Sequence, residues 1–109
     1  MRNQPIRMTA DEWVKEGERL FGADRDGWRF ECPSCHHVAT PRQWREAGAG
    51  EGEIAFSCIG RHAPTPKEAF ENDGRGPCTY AGGGLFRLNP VTVTTPDGKE
   101  HTMFAFAIS

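Results

Sequence analysis

The chain carries the stretch WRFECPSCH at residues 28–36, and the fold is decided there. Cys32 and Cys35 are separated by only two residues, so both thiolates lie on one bend of backbone and can reach a single tetrahedral ion. Zinc prefers four such ligands, and the chain has two more cysteines, Cys58 and Cys78. The spacing therefore predicts that a metal site holds this protein together.

The residues around the cysteine pair predict how it is presented. Trp28 and Phe30 alternate with charged residues, which is typical of a short strand over residues 28–31. A strand that runs directly into Cys-Pro-x-Cys is the usual construction of a zinc knuckle, in which backbone N–H groups point at the sulfurs. His36 stands where many knuckles have glycine, and histidine is among the few other residues that adopt positive φ.

The fourth ligand of the site has two candidates. Cys58 is the natural third ligand, because a predicted strand delivers it as another strand delivers Cys32. Cys78 lies in a Gly-Pro-Cys turn that can present a thiolate, whereas His62 follows Cys58 at the Cys-x3-His spacing of zinc fingers. A cysteine left free beside a zinc ion would be a redox liability, which favours Cys78.

A site of four cysteines would be closed, since no coordination position remains for water or substrate. We therefore expect one structural Zn²⁺ per chain and no enzymatic activity, and we assign no catalytic residue. The glycine-rich run near Cys78 also indicates a structural role and not a catalytic one. The run Gly82-Gly83-Gly84 lacks the Lys-Ser/Thr ending of a phosphate-binding loop and predicts a bulge or a close approach of backbone segments beside the metal.

Length and composition predict one zinc-stabilised domain over residues 1–109, in which residues 1–8 are the segment most open to disorder. The chain is only 37% hydrophobic and has 13 glycines, each of which adds unfolded-state entropy. A metal cross-link would offset that deficit, because its binding free energy of roughly 10–16 kcal/mol in zinc-finger peptides converts to folding stability.

The charge pattern speaks against a protein that grips nucleic acid by its backbone. The net charge is −2, the pI is about 6.1, and the basic residues are spread along the chain. The alternative that remains is a local arginine face beside the knuckle, where an exposed Trp28 or Trp44 would stack on a base. The candidate residues for that face are Arg29, Arg42, Arg45, Arg61 and Arg75. We interpret the tryptophans as core anchors.

The N-terminal residues 1–8 contain no apolar core of a signal peptide, and no stretch approaches the roughly 20 apolar residues of a membrane span. We therefore expect no membrane association and a cytoplasmic location, where thiols stay reduced.

The remaining elements complete a small α+β domain that resembles a zinc ribbon, with an N-terminal helix and a C-terminal antiparallel β-hairpin. Thr9 and Glu12 form a capping box that begins the first helix, and Gly22 ends it. A second helix over residues 41–47 is capped by Thr40 and Gln43. The pattern also predicts strands at 53–57, 85–88, 91–95 and 100–108, a helical turn at 65–70 and a β-turn at 96–98.

Five blocks of the chain together resemble a family of small proteins encoded by tailed phages and prophages. The blocks are GERLFG (17–22), WRFECPSC (28–35), FSCIGR (56–61), GPC with GGGLF (76–86) and PDGK (96–99). The family pattern has cysteines that match Cys32, Cys35, Cys58 and Cys78, and it does not demand a histidine at His62. The resemblance thus implies a zinc site of these four cysteines and a phage or prophage origin, without a reaction.

These observations favour a protein-interaction module that acts in the host cell. Its expected partner is a host or phage protein, and host takeover and interference with host defence are the roles that fit this setting. The alternative is a zinc ribbon that binds nucleic acid through the arginine face.

Overall fold

The computed structural model describes residues 6–62, 78, 80–82 and 88–107. These ranges contain two α-helices and six short strands, connected in part by short 3-10 helices. In chain order they are β1 (Ile6–Thr9), α1 (Ala10–Phe21), β2 (Phe30–Glu31), β3 (Val38–Ala39), α2 (Pro41–Glu46), β4 (Val91–Thr94), β5 (Glu100–Met103) and β6 (Ala105–Phe106). The predicted α+β class with an N-terminal helix is confirmed.

The strands form two sheets of three. The first has the order β1-β4-β5, in which β1 is parallel to β4 and β4 is antiparallel to β5. The second has the antiparallel order β3-β2-β6. The β4–β5 pair is the predicted C-terminal hairpin. Its turn is closed by the N–H of Gly98, which donates to the carbonyl of Thr95 at 2.9 Å while Gly98 adopts φ of 88°.

Helix α1 begins and ends as its sequence predicts. The Thr9 side chain accepts from the N–H of Glu12, and the Glu12 side chain accepts from the N–H of Thr9 at 2.9 Å. Gly22 caps the other end with φ of 94°. Within the helix, Gly17 packs against the ring of Trp28 so closely that a Cβ atom would lie 2.3 Å from it. The helix is thereby fixed against the core.

The segment before α1 is more ordered than the sequence predicts. Residues 6–8, which we expected to be open to disorder, pair with β4 as part of β1, and Ile6 also donates its N–H to the Pro90 carbonyl at 2.8 Å. Residues 1–5 lie outside the described residues. The strand gains this order because parallel pairing with β4 satisfies its backbone groups.

The predicted strand at 53–57 is wrong. A 3-10 helix occupies Glu51–Glu53, and the chain then turns so tightly that Phe56 and Ser57 both donate their N–H groups to the carbonyl of Glu53 at 3.1 Å. Ala55 adopts φ of 57° within this turn and is buried. The alternation of apolar residues is typical of a strand, but the backbone here forms a tight turn.

The predicted strand at 100–108 is two strands in two different sheets. Phe104 interrupts it, because its N–H donates to the carbonyl of Ala55 at 2.7 Å and its ring is buried in the core. The chain thus leaves the first sheet after β5 and joins β2 as β6. The predicted strand over residues 28–31 is also shorter than expected and comprises only Phe30–Glu31, because Trp28 caps a 3-10 helix at Arg25–Gly27.

The capping box of Thr40 and Gln43 begins α2 as predicted. The predicted helical turn at 65–70 lies outside the described residues, as do residues 85–87 of the predicted strand at 85–88. Leu88 itself is not in a strand. No helix among the described residues is long and apolar enough to cross a membrane.

The core is an aromatic cluster packed around the four cysteines. Its largest side chains are at most 2% exposed: Trp28, Phe30, Trp44, Tyr80 and Phe104. Neighbouring rings contact one another, as in the pairs of Phe30 with Trp44 and of Tyr80 with Phe104. The interpretation of Trp28 and Trp44 as core anchors is therefore confirmed.

Candidate metal centre

The four cysteines meet at one point in the interior. Their Sγ atoms all lie within 4.8 Å of one another, and each residue is at most 5% exposed. The Sγ atoms of Cys35 and Cys58 are 3.7 Å apart. Four sulfurs bound tetrahedrally at about 2.3 Å from a zinc ion would be roughly 3.8 Å apart. All four are free thiols, so the cluster has the ligand number, chemistry and spacing of a metal site.

The first pair of thiols is presented by a knuckle between β2 and β3. Cys32 donates its N–H to the carbonyl of His37 at 3.0 Å, and His36 donates its N–H back to the carbonyl of Cys32 at 2.9 Å. His36 closes the turn with φ of 66°, as predicted. The N–H of Ser34 points at the Sγ of Cys32 at 3.4 Å. Such contacts stabilise a thiolate because they direct positive dipoles at the sulfur.

The second pair comes from two segments that are far apart in sequence. The N–H of Cys78 points at the Sγ of Cys58 at 3.4 Å, and the N–H of Tyr80 points at the Sγ of Cys78 at the same distance. The N–H of Cys58 donates to the carbonyl of Tyr80 at 2.9 Å. These hydrogen bonds connect the two segments independently of a metal ion.

The residue before Cys58 anchors its segment on both sides. The Ser57 carbonyl accepts from the indole N–H of Trp44 at 3.0 Å, and its hydroxyl accepts from the N–H of Gly82 at 3.0 Å. A Cβ atom on Gly82 would lie 2.1 Å from the carbonyl oxygen of Phe56. The predicted close approach is thus confirmed at Gly82. The role of Ser57 was missed, because a lone serine beside a cysteine gives no signal in the sequence.

The pKa values of the clustered thiols are shifted in different directions. Hydrogen bonds with Cys32 and Cys35 lower the pKa of Cys58 to about 2, and the N–H groups of Cys78 and Gly60 add to the effect. Hydrogen bonds with Cys35 and Cys58, together with burial, raise the pKa of Cys32. In Cys35 the bond with Cys32 lowers the pKa, but the bond with Cys58 and burial outweigh it and raise the pKa to about 12. A divalent cation would replace the remaining protons, since thiolate is the form that binds metal.

His62 does not join the cluster. Its Nε2 atom lies 2.5 Å from Oε1 of Glu53, and the residue is exposed. His36 pairs with Glu31 at 2.8 Å on the knuckle surface, and His101 is exposed on β5. Of the two candidates for the fourth ligand, the structure brings Cys78 to the site and leaves His62 outside it.

The arginines proposed for a nucleic-acid-binding face lie among carboxylates. Arg42 pairs with Asp24 at 3.7 Å, and Arg61 lies 3.8 Å from Glu53. Arg45 contacts Asp26 and also Glu51 at 2.9 Å. Arg29 is exposed and has interactions of its own, whereas Arg75 lies outside the described residues. Because Trp28 and Trp44 are buried, neither offers a face on which a base could stack.

Comparison with known protein families identifies a match over most of the chain. The model of a family described as VVA0879-like matches residues 9–107, which is all but the first eight and the last two residues of the chain. No curated protein and no solved structure matches significantly.

Proposed function

The chain belongs to the VVA0879-like family, and we propose that it is a structural zinc protein that acts as a protein-interaction module. The observation that carries the zinc site is the buried cluster of four thiols within 4.8 Å of one another. Four thiolates in tetrahedral spacing favour Zn²⁺ over magnesium or calcium, which prefer oxygen ligands. Cys32, Cys35, Cys58 and Cys78 would be the ligands.

A zinc ion held by four cysteines has no open position, so its role would be to hold one zinc-stabilised domain together and not to activate water. We accordingly propose no reaction for this protein. The proposed location is the cytoplasm of a bacterial host cell, where a reducing environment keeps the thiols available for metal.

Titration of the metal-free protein with Co²⁺ tests the site. We expect one Co²⁺ per chain, with the visible absorption and the intense thiolate charge-transfer bands of a tetrahedral site of four sulfurs, and complete displacement by one Zn²⁺. The His62→Ala variant is the matched control and should give the same spectrum. A spectrum with nitrogen or oxygen ligation, or one altered by His62→Ala, would contradict the proposed ligand set.

Protein binding is the activity we propose for the folded domain, with a phage or prophage origin. The origin rests on the resemblance of the sequence blocks. Protein binding is supported by the near-neutral charge of −2 and by the ion pairs that occupy Arg42, Arg45 and Arg61, since both weaken a phosphate-binding face. The partner we propose is a host or phage protein in host takeover or interference with defence.

Affinity purification from bacterial host lysate, with and without nuclease, tests this activity. We expect one protein to copurify in stoichiometric amount and to resist nuclease treatment. Recovery that depends on intact nucleic acid, and that falls steeply with salt, would instead support the nucleic-acid-binding alternative.

A further inference from the structure

A cleft of about 740 Å³ lies beside the first sheet, and none of its lining residues is a cysteine. Its volume is within the roughly 300–1,000 Å³ of ligand-binding clefts in proteins. Helix α1 contributes Trp13 and Val14 to its lining, and the turn before Cys58 contributes Glu51 and Ile54. The sheet contributes Val93 and Thr95 from the β4 side and residues 100–103 of β5. Apolar side chains therefore flank an exposed strand.

Strand β5 is an edge strand, and the direction of its backbone groups follows from its pairing. The N–H of Thr95 donates to the carbonyl of Lys99 at 2.9 Å. Because bonded pairs alternate along an antiparallel ladder, His101 and Met103 bond to β4, whereas Glu100 and Thr102 point their N–H and carbonyl groups away from it. Among the described residues, nothing bonds to these outward groups.

Two further hydrogen bonds agree with this alternation. Pro90 directs its carbonyl to Ile6 of β1, so the even-numbered residues of β4 face β1 and the odd-numbered ones face β5. On β5's side, the N–H of Phe104 points outward in phase with Thr102 and donates to the carbonyl of Ala55 at 2.7 Å. Another segment of backbone thus already bonds to this edge at Phe104, and residues 100–103 before it line the cleft.

We propose that this cleft binds an extended segment of a partner protein, which adds a fourth strand to the sheet along β5. The outward groups of Glu100 and Thr102 would bond to the backbone of the segment. Alternate side chains would enter between Trp13, Ile54 and Met103, so we expect a segment with apolar residues at every second position. The inference rests on the proposed protein-binding function and names the class of its partner.

The walls favour a single strand over a second copy of the domain. The Ala55 carbonyl accepts from the N–H of Phe104 at the end of this edge, and its neighbours Glu51, Gly52 and Ile54 line the cleft, so the approach to β5 is a groove and not an open flank. Pairing of two copies through β5 would require an unobstructed β5 edge in each copy. Dimerisation through this edge is therefore an outcome that overturns the proposal.

Amide hydrogen exchange of the zinc-loaded protein, followed by NMR, is the first part of the test. In the free protein, we expect the amides of Glu100 and Thr102 to exchange at least tenfold faster than those of His101 and Met103. Protection of Thr102 in the free protein, or a dimer in sedimentation that depends on this edge, would overturn the proposal.

A yeast-displayed library of random linear 12-residue peptides is the second part. We expect selected peptides to have apolar residues at alternate positions and to slow exchange of the Glu100 and Thr102 amides at least tenfold in the wild-type protein. Failure to recover a binding peptide, or binding that leaves these two amides unchanged, would overturn the proposal. This readout needs no variant.

Proline substitution tests the backbone contact directly. Thr102→Pro removes one outward N–H and leaves the bonds to β4, and edge strands tolerate such prolines. We expect peptide binding to weaken at least tenfold in Thr102→Pro and to stay unchanged in Thr102→Val, with Glu100→Pro as a second variant if the first unfolds. Capture of a host protein by Thr102→Pro at the wild-type level would overturn the edge proposal and leave the proposed function standing. Absence of capture by the wild-type protein would contradict the proposed function instead.

Discussion

The backbone N–H of Cys78 points at the Sγ of Cys58 at 3.4 Å, although the two residues are 20 positions apart. This contact joins the segment after α2, which contains Cys58, to the segment before β4, which contains Cys78. Since Cys32 and Cys35 bring the β2–β3 knuckle to the same point, one ion would cross-link three separate parts of the chain. A metal bound here would therefore support the whole fold.

Removal of the metal should unfold the protein. A structural zinc contributes roughly 10–16 kcal/mol in zinc-finger peptides, which equals or exceeds the net stability of about 5–15 kcal/mol of a typical domain. We expect a strong chelator to abolish the near-ultraviolet circular dichroism of the buried tryptophans. Zn²⁺ should restore the signal and Mg²⁺ should not. A metal-free protein that keeps a cooperative thermal transition would contradict this prediction.

Replacement of Gly17 should destabilise the protein, although alanine favours helix formation over glycine. Alanine in a helix interior gains about 0.5–1 kcal/mol over glycine. At Gly17, however, the new Cβ would lie 2.3 Å from the Trp28 ring, which is buried and cannot move freely. Overpacking of this kind costs about 1–3 kcal/mol, so Gly17→Ala should lower the free energy of unfolding measured in urea.

Gly50→Ala is the matched control for that experiment. Gly50 has φ of −72°, and nothing lies within 4 Å of the position that its Cβ would occupy. This variant should leave the free energy of unfolding unchanged or raise it slightly. Equal effects of Gly17→Ala and Gly50→Ala would mean that the contact with Trp28 does not limit the packing of α1.

Removal of the Tyr80 hydroxyl should destabilise the fold without loss of metal. The hydroxyl accepts from the N–H of Leu88 at 2.7 Å and lies 3.2 Å from Oδ1 of Asn89. Tyr80→Phe leaves that N–H without its acceptor, which costs about 1–3 kcal/mol. Zinc content should stay at the wild-type level, because Tyr80 contacts Cys78 through its backbone N–H. Loss of zinc in this variant would contradict the assignment.

The elements that the sequence predicts correctly are those with local chemical signals. Thr9 with Glu12 and Thr40 with Gln43 fix the helix starts through side-chain hydrogen bonds, and Gly98 fixes the hairpin turn through its positive φ. The cysteine cluster follows from spacing and ligand chemistry.

What the sequence does not predict depends on contacts between distant residues. Residues 53–57 alternate like a strand, but the chain turns at Ala55, whose carbonyl accepts from the N–H of Phe104, about 50 positions away. The same bond divides the predicted strand at 100–108 between two sheets. No local pattern contains that information, and the edge of β5 beside this contact is equally invisible in the sequence.

The zinc content per chain of the wild-type protein, Cys78→Ser and His62→Ala, measured by elemental mass spectrometry after dialysis, decides whether Cys78 is the fourth ligand. We expect one zinc per chain in the wild-type protein and in His62→Ala, and loss of tightly bound zinc with loss of folded structure in Cys78→Ser. Retention of one tightly bound zinc by Cys78→Ser, together with its loss from His62→Ala, would show that His62 and not Cys78 holds the metal.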